Sequence, residues 1–206
     1  MITPCAVFKN LVVAAGGCSG TASYVAGASS AGVDMTFTNA SNLYRKYCFI
    51  IKAADFSADA GDKRTIDSIT LRYNTSDSYP VFVTYFQVYI RNTTNTSVGS
   101  GGNSTSDLNN KKIYDAGSSG ITSGNETTYS GGTNLIWDGT SNILVTIFTK
   151  GTSSVNLSAG FYRTATTTGY SWGMYQDATE ATARGNITGF VLTGAQEVFV
   201  KLNFSC

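Results

Sequence analysis

Apolar and polar positions alternate along residues 65–73 (Thr-Ile-Asp-Ser-Ile-Thr-Leu-Arg-Tyr), which predicts a half-buried β-strand. Residues 81–90 (Val-Phe-Val-Thr-Tyr-Phe-Gln-Val-Tyr-Ile) carry aromatic and β-branched side chains at both parities, as a central strand does. Residues 142–148 and 197–204 are two further strong strand candidates, the second closing the chain with clean alternation. Weaker strand signals fall at 8–14, 35–37, 47–51, 112–114, 134–137, 158–163 and 187–192. Only residues 52–60 read as a helix, with Gly61 as the stop.

Clusters of Gly, Ser, Asn and Thr punctuate these runs, as turn chemistry requires. The longest, 92–110, has almost no apolar residue and predicts a long surface loop, with strand signals of one sheet system on either side. The expected architecture is all-β, an antiparallel β-sandwich or jelly roll with one short helix near 52–60. It fills a single domain, 1–206, in which 1–20 supply an N-terminal strand and a disulfide loop.

Composition narrows the setting. Charged residues make up 13% of the chain, against about 25% in an ordinary soluble domain. With 22 glycines and abundant Ser, Thr and Asn, the surface is solvated by hydroxyls and amides, a habit of secreted β proteins. The net charge of +1 supplies no field to steer nucleic acid, so no nucleic-acid partner is expected. The apolar run 5–15 is too short for a signal peptide or a membrane span and contains Lys9, so no membrane insertion is expected. An exported chain of this sequence would be a mature form or an excised piece.

Cys5, Cys18, Cys48 and Cys206 form an even set without CxxC spacing, and the chain has no histidine. This favours disulfides over zinc. The spacing leaves the connectivity open; the preferred pairing is Cys5–Cys18 and Cys48–Cys206.

Three stretches carry a family resemblance. They are 44–56 (Tyr-Arg-Lys-Tyr-Cys-Phe-Ile-Ile-Lys-Ala-Ala-Asp-Phe), 66–73 followed by 86–90, and 135–145 (Leu-Ile-Trp-Asp-Gly-Thr-Ser-Asn-Ile-Leu-Val). Together they resemble a β-sandwich module recurrent in secreted multidomain surface proteins of Bacteroidetes exported by type IX secretion. The resemblance spans about 20–204 and implies a sandwich at the cell surface or in the medium, within adhesins or beside enzymes. Cys48 and Cys206 depart from it.

Without histidine there is no Ser-His-Asp triad, no Cys-His dyad and no imidazole metal ligand. Two carboxylates flanking a bond suffice for glycoside hydrolysis, but the acids are scattered through predicted turns and solvent-facing strand positions. The chain is therefore expected not to be an enzyme. Asp138-Gly139 reads as a hairpin turn in which Gly supplies the positive φ. The alternative is a structural calcium held by Asp138 and Asn142; otherwise no cofactor is expected.

Two functions remain. The first is an extracellular structural or adhesive module, a surface-fibre subunit or adhesin bead that partners copies of itself or neighbouring domains. In it, the strand at 8–14 would pair with a neighbouring subunit's sheet edge. The alternative is a carbohydrate-binding module with glycan partners. Tyr170, Trp172 and Tyr175 would form its aromatic platform, and Gln176, Asp177 and Arg184 its polar contacts. Trp137 is assigned to the core. Sequons at Asn39, Asn74, Asn92, Asn95, Asn103, Asn125, Asn156, Asn186 and Asn203 fit an exported glycoprotein.

Overall fold

The computed structural model describes residues 19–24, 35–36, 44–60, 64–75, 81–83, 85–98, 112–116, 119–121, 126–151, 158–161, 163–165, 172–185, 192–194, 196–198 and 200–205. The order of elements is β1 (Ser19–Tyr24), β2 (Met35–Thr36), β3 (Tyr44–Ile51), α1 (Ala53–Ala60), β4 (Thr65–Thr75) and β5 (Val81–Val83). Next come β6 (Tyr85–Thr93), β7 (Lys112–Ala116), β8 (Ser119–Ile121), β9 (Glu126–Ile136) and β10 (Asn142–Lys150). The chain ends with β11 (Ser158–Phe161), β12 (Arg163–Ala165), β13 (Trp172–Asp177), α2 (Glu180–Gly185), β14 (Leu192–Gly194), β15 (Gln196–Val198) and β16 (Val200–Ser205).

Two antiparallel sheets form the sandwich. The first runs β1-β16-β4-β11-β2, with β9 also paired to β4; the second runs β14-β13-β3-β10-β6-β7. Two short ladders, β12–β15 and β5–β8, complete the described pairings. The all-β expectation holds, with two helices among the described residues where one was expected.

Period-two alternation explains which side chains meet between the sheets. The second sheet turns Tyr47, Phe49 and Ile51 of β3, Ile143, Val145 and Ile147 of β10, and Phe86, Val88 and Ile90 of β6 into the core. The first sheet answers with Ile66, Ile69, Leu71, Tyr129, Val200, Leu202 and Phe204. Phe86 and Tyr129 stack across the gap with ring centroids 5.0 Å apart. The alternate positions on β3, β6 and β10 are largely buried too, because other segments cover that outer face: Cys48, Ile50 and Leu144 pack on Val98, and Tyr89 and Phe148 on Ala183.

Two sequence readings change here. Of residues 92–110, expected as one surface loop, Asn92 and Thr93 belong to β6 and Val98 is fully buried, while 99–110 lie outside the described residues. Of the weak signal at 134–137, residues 134–136 are the end of an eleven-residue strand, β9, that turns a corner in its middle, and Trp137 follows it. Ile66 pairs with Leu135 and Ser68 with Ser130, so Asp67 alone stands opposite residues 131–134. There β9 swings against β7 of the other sheet. A Cβ on Gly132 would lie 2.2 Å from the Lys112 carbonyl oxygen, and Gly131 has φ +95°, so the corner requires both glycines. The expected strand at 8–14 lies outside the described residues; β1 begins at Ser19 and pairs with β16 of its own chain.

Candidate functional site

At one end of the sandwich two crossings between the sheets are stapled together. One is α1, between β3 and β4; the other is the segment 137–141, between β9 and β10. Phe56 of α1 packs on Trp137 at 4.8 Å and on Phe204 at 6.0 Å between ring centroids. The Trp137 amide donates to the Arg64 carbonyl at 2.6 Å, its indole Nε1 donates to the Ser141 carbonyl at 2.8 Å, and the Arg64 guanidinium covers its ring. Trp137 is core, as its apolar surroundings in the sequence indicate.

Asp138 and Asn142 have structural employment at this end. The Asp138 carboxylate accepts the amides of Thr140 (2.9 Å) and Ser141 (2.7 Å) and both of their hydroxyls. These bonds, with Ser141 the largest contributor, hold its pKa down to about 2. Gly139 supplies the positive φ of +87°. The turn is a corner between sheets rather than a hairpin, because β9 pairs with β4 and β10 with β3 and β6. Asn142 Oδ1 accepts the Ala53 amide at 2.9 Å, capping α1, and its Nδ2 donates to the Asn95 carbonyl at 2.9 Å. Among the described residues no cluster of three or more His, Cys, Asp or Glu has the arrangement of a metal site.

Beside this corner lies an open groove of about 410 Å³, lined by Arg91, Asn92, Thr93, Thr94, Asn95 and Ser141. Thr93 Oγ1 accepts the Asn95 amide at 3.2 Å, and Asn92 Nδ2 donates to the Ile136 carbonyl at 3.0 Å. The Ile136 side chain, 66% exposed, is the only large hydrophobic among the described residues left in solvent. The sequence reading missed this groove because Asn92 to Asn95 fell within the stretch assigned to loop.

Positions 172 and 175–177 of the sequence-derived sugar platform lie on β13. Position 172 pairs with Phe49, which faces the core, whereas positions 175 and 177 pair with Lys46 and Tyr44 on the opposite face. Position 176 pairs with Arg45. Tyr170 lies outside the described residues. Arg184 sits on α2, which covers the outer face of the second sheet. Its guanidinium lies 3.9 Å from the Phe148 ring centroid and donates to Glu180 at 2.7 Å, Tyr89 Oη at 3.1 Å and Gln87 Oε1 at 2.9 Å. Lys46 Nζ donates to the Arg184 carbonyl at 3.2 Å. Gln87 in turn donates to Asp115. Desolvation works against that carboxylate, but bonds from Lys112 and Gln87 outweigh it and lower its pKa. Arg184 thus clamps α2 to the sheet. The helix had a readable signal: Thr179 before it, whose hydroxyl accepts the Thr182 amide at 3.4 Å, Glu180 in its first turn and Arg184 in its last.

The preferred Cys48–Cys206 disulfide is corrected. Cys48 is a free, buried thiol facing Ile50, Val98 and Leu144, with its sulfur 3.6 Å from Thr146 Oγ1. Ser205, the neighbour of Cys206, pairs with Thr65 and Ser19 in the other sheet. Burial pushes the thiol pKa up, against the pull of Lys46 and the Thr146 bond. Cys5, Cys18 and Cys206 lie outside the described residues.

At the end opposite α1, neighbours across the β3–β10 ladder carry buried polar atoms without a bond. They are the Arg45 Nε and Nη1 and the Thr149 Oγ1. Burial lowers the Arg45 pKa, with Tyr47 opposing.

No family model matches the chain, and no curated protein matches it. Among solved structures, it is similar to the cysteine protease and lectin-like domains of Cwp84, a surface layer associated protein of Clostridium difficile. The TM-score is 0.44 at 7% identity, over 79% of this chain and 32% of that one. Clostridial Cwp84 after propeptide cleavage aligns with TM-score 0.43 at 7% identity, over 79% of this chain and 36% of that one. A structure of infectious bursal disease virus, Gt strain, aligns with TM-score 0.21 at 12% identity, covering 91% and 38%. The chain spans about a third of the length of these solved chains.

Proposed function

We propose that this chain is a non-catalytic extracellular module that builds or decorates a bacterial surface, as a fibre subunit or an adhesin bead. One observation carries the reading: the described carboxylates that bond side chains are engaged in holding strands and turns rather than facing one another. Asp138 closes its own turn, Asp115 bonds Gln87 and Lys112, Glu126 pairs with Lys201, and Glu180 pairs with Arg184. Hydrolysis by carboxylates requires two such groups across one cleft. The hydroxyl-rich, weakly charged surface suits an exported setting, and no helix among the described residues is long and apolar enough to cross a membrane.

For assembly, β1 is one of the sheet edges: among the described strands it pairs with β16 alone, and a neighbouring subunit would add a strand along its other side, next to α1, which packs against it. Light scattering and negative-stain microscopy of the concentrated chain test this. Concentration-dependent oligomers or fibres are expected, and a strict monomer at high concentration rejects self-assembly. The sugar platform on β13 is the weaker alternative, because Arg184 is committed to Gln87, Tyr89 and Glu180.

A further inference from the structure

We infer that the groove lined by Arg91, Asn92, Thr93, Thr94, Asn95 and Ser141 is a saccharide-binding site, distinct from the β13 platform and independent of self-assembly. Its volume, about 410 Å³, lies in the range of ligand sites, roughly 300–1,000 Å³. Its lining is amide, hydroxyl and guanidinium throughout, with no apolar side chain. A lipid or an apolar peptide would cover the amide, hydroxyl and guanidinium groups of the lining without bonding them. Nucleic acid binds through several phosphate contacts, and one guanidinium does not supply them.

Sugar hydroxyls both donate and accept, and so do amide and hydroxyl side chains. Asn95 makes its hydrogen bonds through its backbone, accepting from Asn142 at the carbonyl and donating to Thr93 from the amide. Its side-chain amide is left for the groove, beside the exposed Thr94. Two neighbours keep the wall rigid: the Asp138 turn fixes Ser141, and Asn142 ties Asn95 to α1. Preorganised donors lose less entropy on binding.

The test uses the full chain from a bacterial host that adds no N-glycans, probed on an array of neutral and carboxylated glycans. The strongest ligand is then titrated by calorimetry against wild type, Thr94→Val, Asn95→Ala and, on the other sheet, Lys201→Ala. Each groove variant keeps the backbone bonds described above, and thermal melts confirm that it folds. The expected result is binding by wild type, a loss of about tenfold or more in each groove variant, and no change in Lys201→Ala. Absence of glycan binding at millimolar ligand, or groove variants that bind like wild type, overturns the inference.

Discussion

The two ends of the β3–β10 ladder differ in how they treat their polar groups. At the α1 end, Trp137 donates from both its nitrogens, Asn142 uses both its side-chain atoms, and Asp138 uses both its oxygens. At the other end Arg45 and Thr149 are buried as deeply as Trp137 and more deeply than Asn142 or Asp138, yet the Arg45 Nε and Nη1 and the Thr149 Oγ1 have no partner. Burial alone does not stabilise a polar side chain; burial with every bond made does. The first end holds three segments in one arrangement and keeps the groove wall rigid. The second carries an uncompensated desolvation cost in the same sheet.

The largest effect is expected at the α1 end, even though Asn92 Oδ1 there is also buried without a bond. Trp137→Ala removes the ring that joins α1, Arg64 and Phe204, and should cost about 3–5 kcal/mol in urea denaturation. A loss below about 1 kcal/mol would show that the end is not held by this residue. At the other end, Arg45→Met keeps an unbranched apolar stem and removes the two nitrogens that have no bond. It should stabilise the fold by about 1–3 kcal/mol, and a destabilised variant would show that the guanidinium has a compensating partner.

Asn142→Ala comes next, losing the α1 cap and the link to Asn95, for about 1–2 kcal/mol. Hydrogen exchange should quicken at Ala53 and in residues 94–98, and unchanged protection there would break the staple. The smallest effect belongs to Asp138, which is exposed and screened. Its folded pKa of about 2 is depressed, so its contribution is complete above the unfolded carboxylate range near 4 and fades as pH falls toward 2. Melting temperatures measured from pH 5 to pH 2 should fall less steeply in Asp138→Asn than in wild type. Equal slopes would mean that the turn's bonds do not discriminate charge.

Much of the sandwich was readable because period-two alternation reports on one buried face. Residues 65–73 and 142–148 each proved to be strand, and 197–204 divides between β15 and β16, with Ile69, Leu71, Val145, Ile147, Leu202 and Phe204 in the core. The corner in β9 was hidden, since Gly131-Gly132 looks locally like a stop and only the nearby backbone of β7 makes it a bend. The second helix was legible in its capping residues but is too short to show a periodicity. The site was less legible still: Arg184 carries the donors that a sugar contact needs, and no local feature of the sequence reveals that Gln87 and Tyr89 claim them.

From the sequence alone come the all-β class, the absence of imidazole chemistry, the core placement of Trp137 and the turn at Asp138-Gly139. Each follows from composition or from neighbours within a few residues. The tertiary structure decided that this turn joins two sheets, that Cys48 faces Thr146 as a free thiol, and that Arg91 to Asn95 meet Ser141 in a groove. Those outcomes depend on which strands pair across 40 or more residues, as Thr93 does with Asn142, and such pairings are selected by the packing of the whole core.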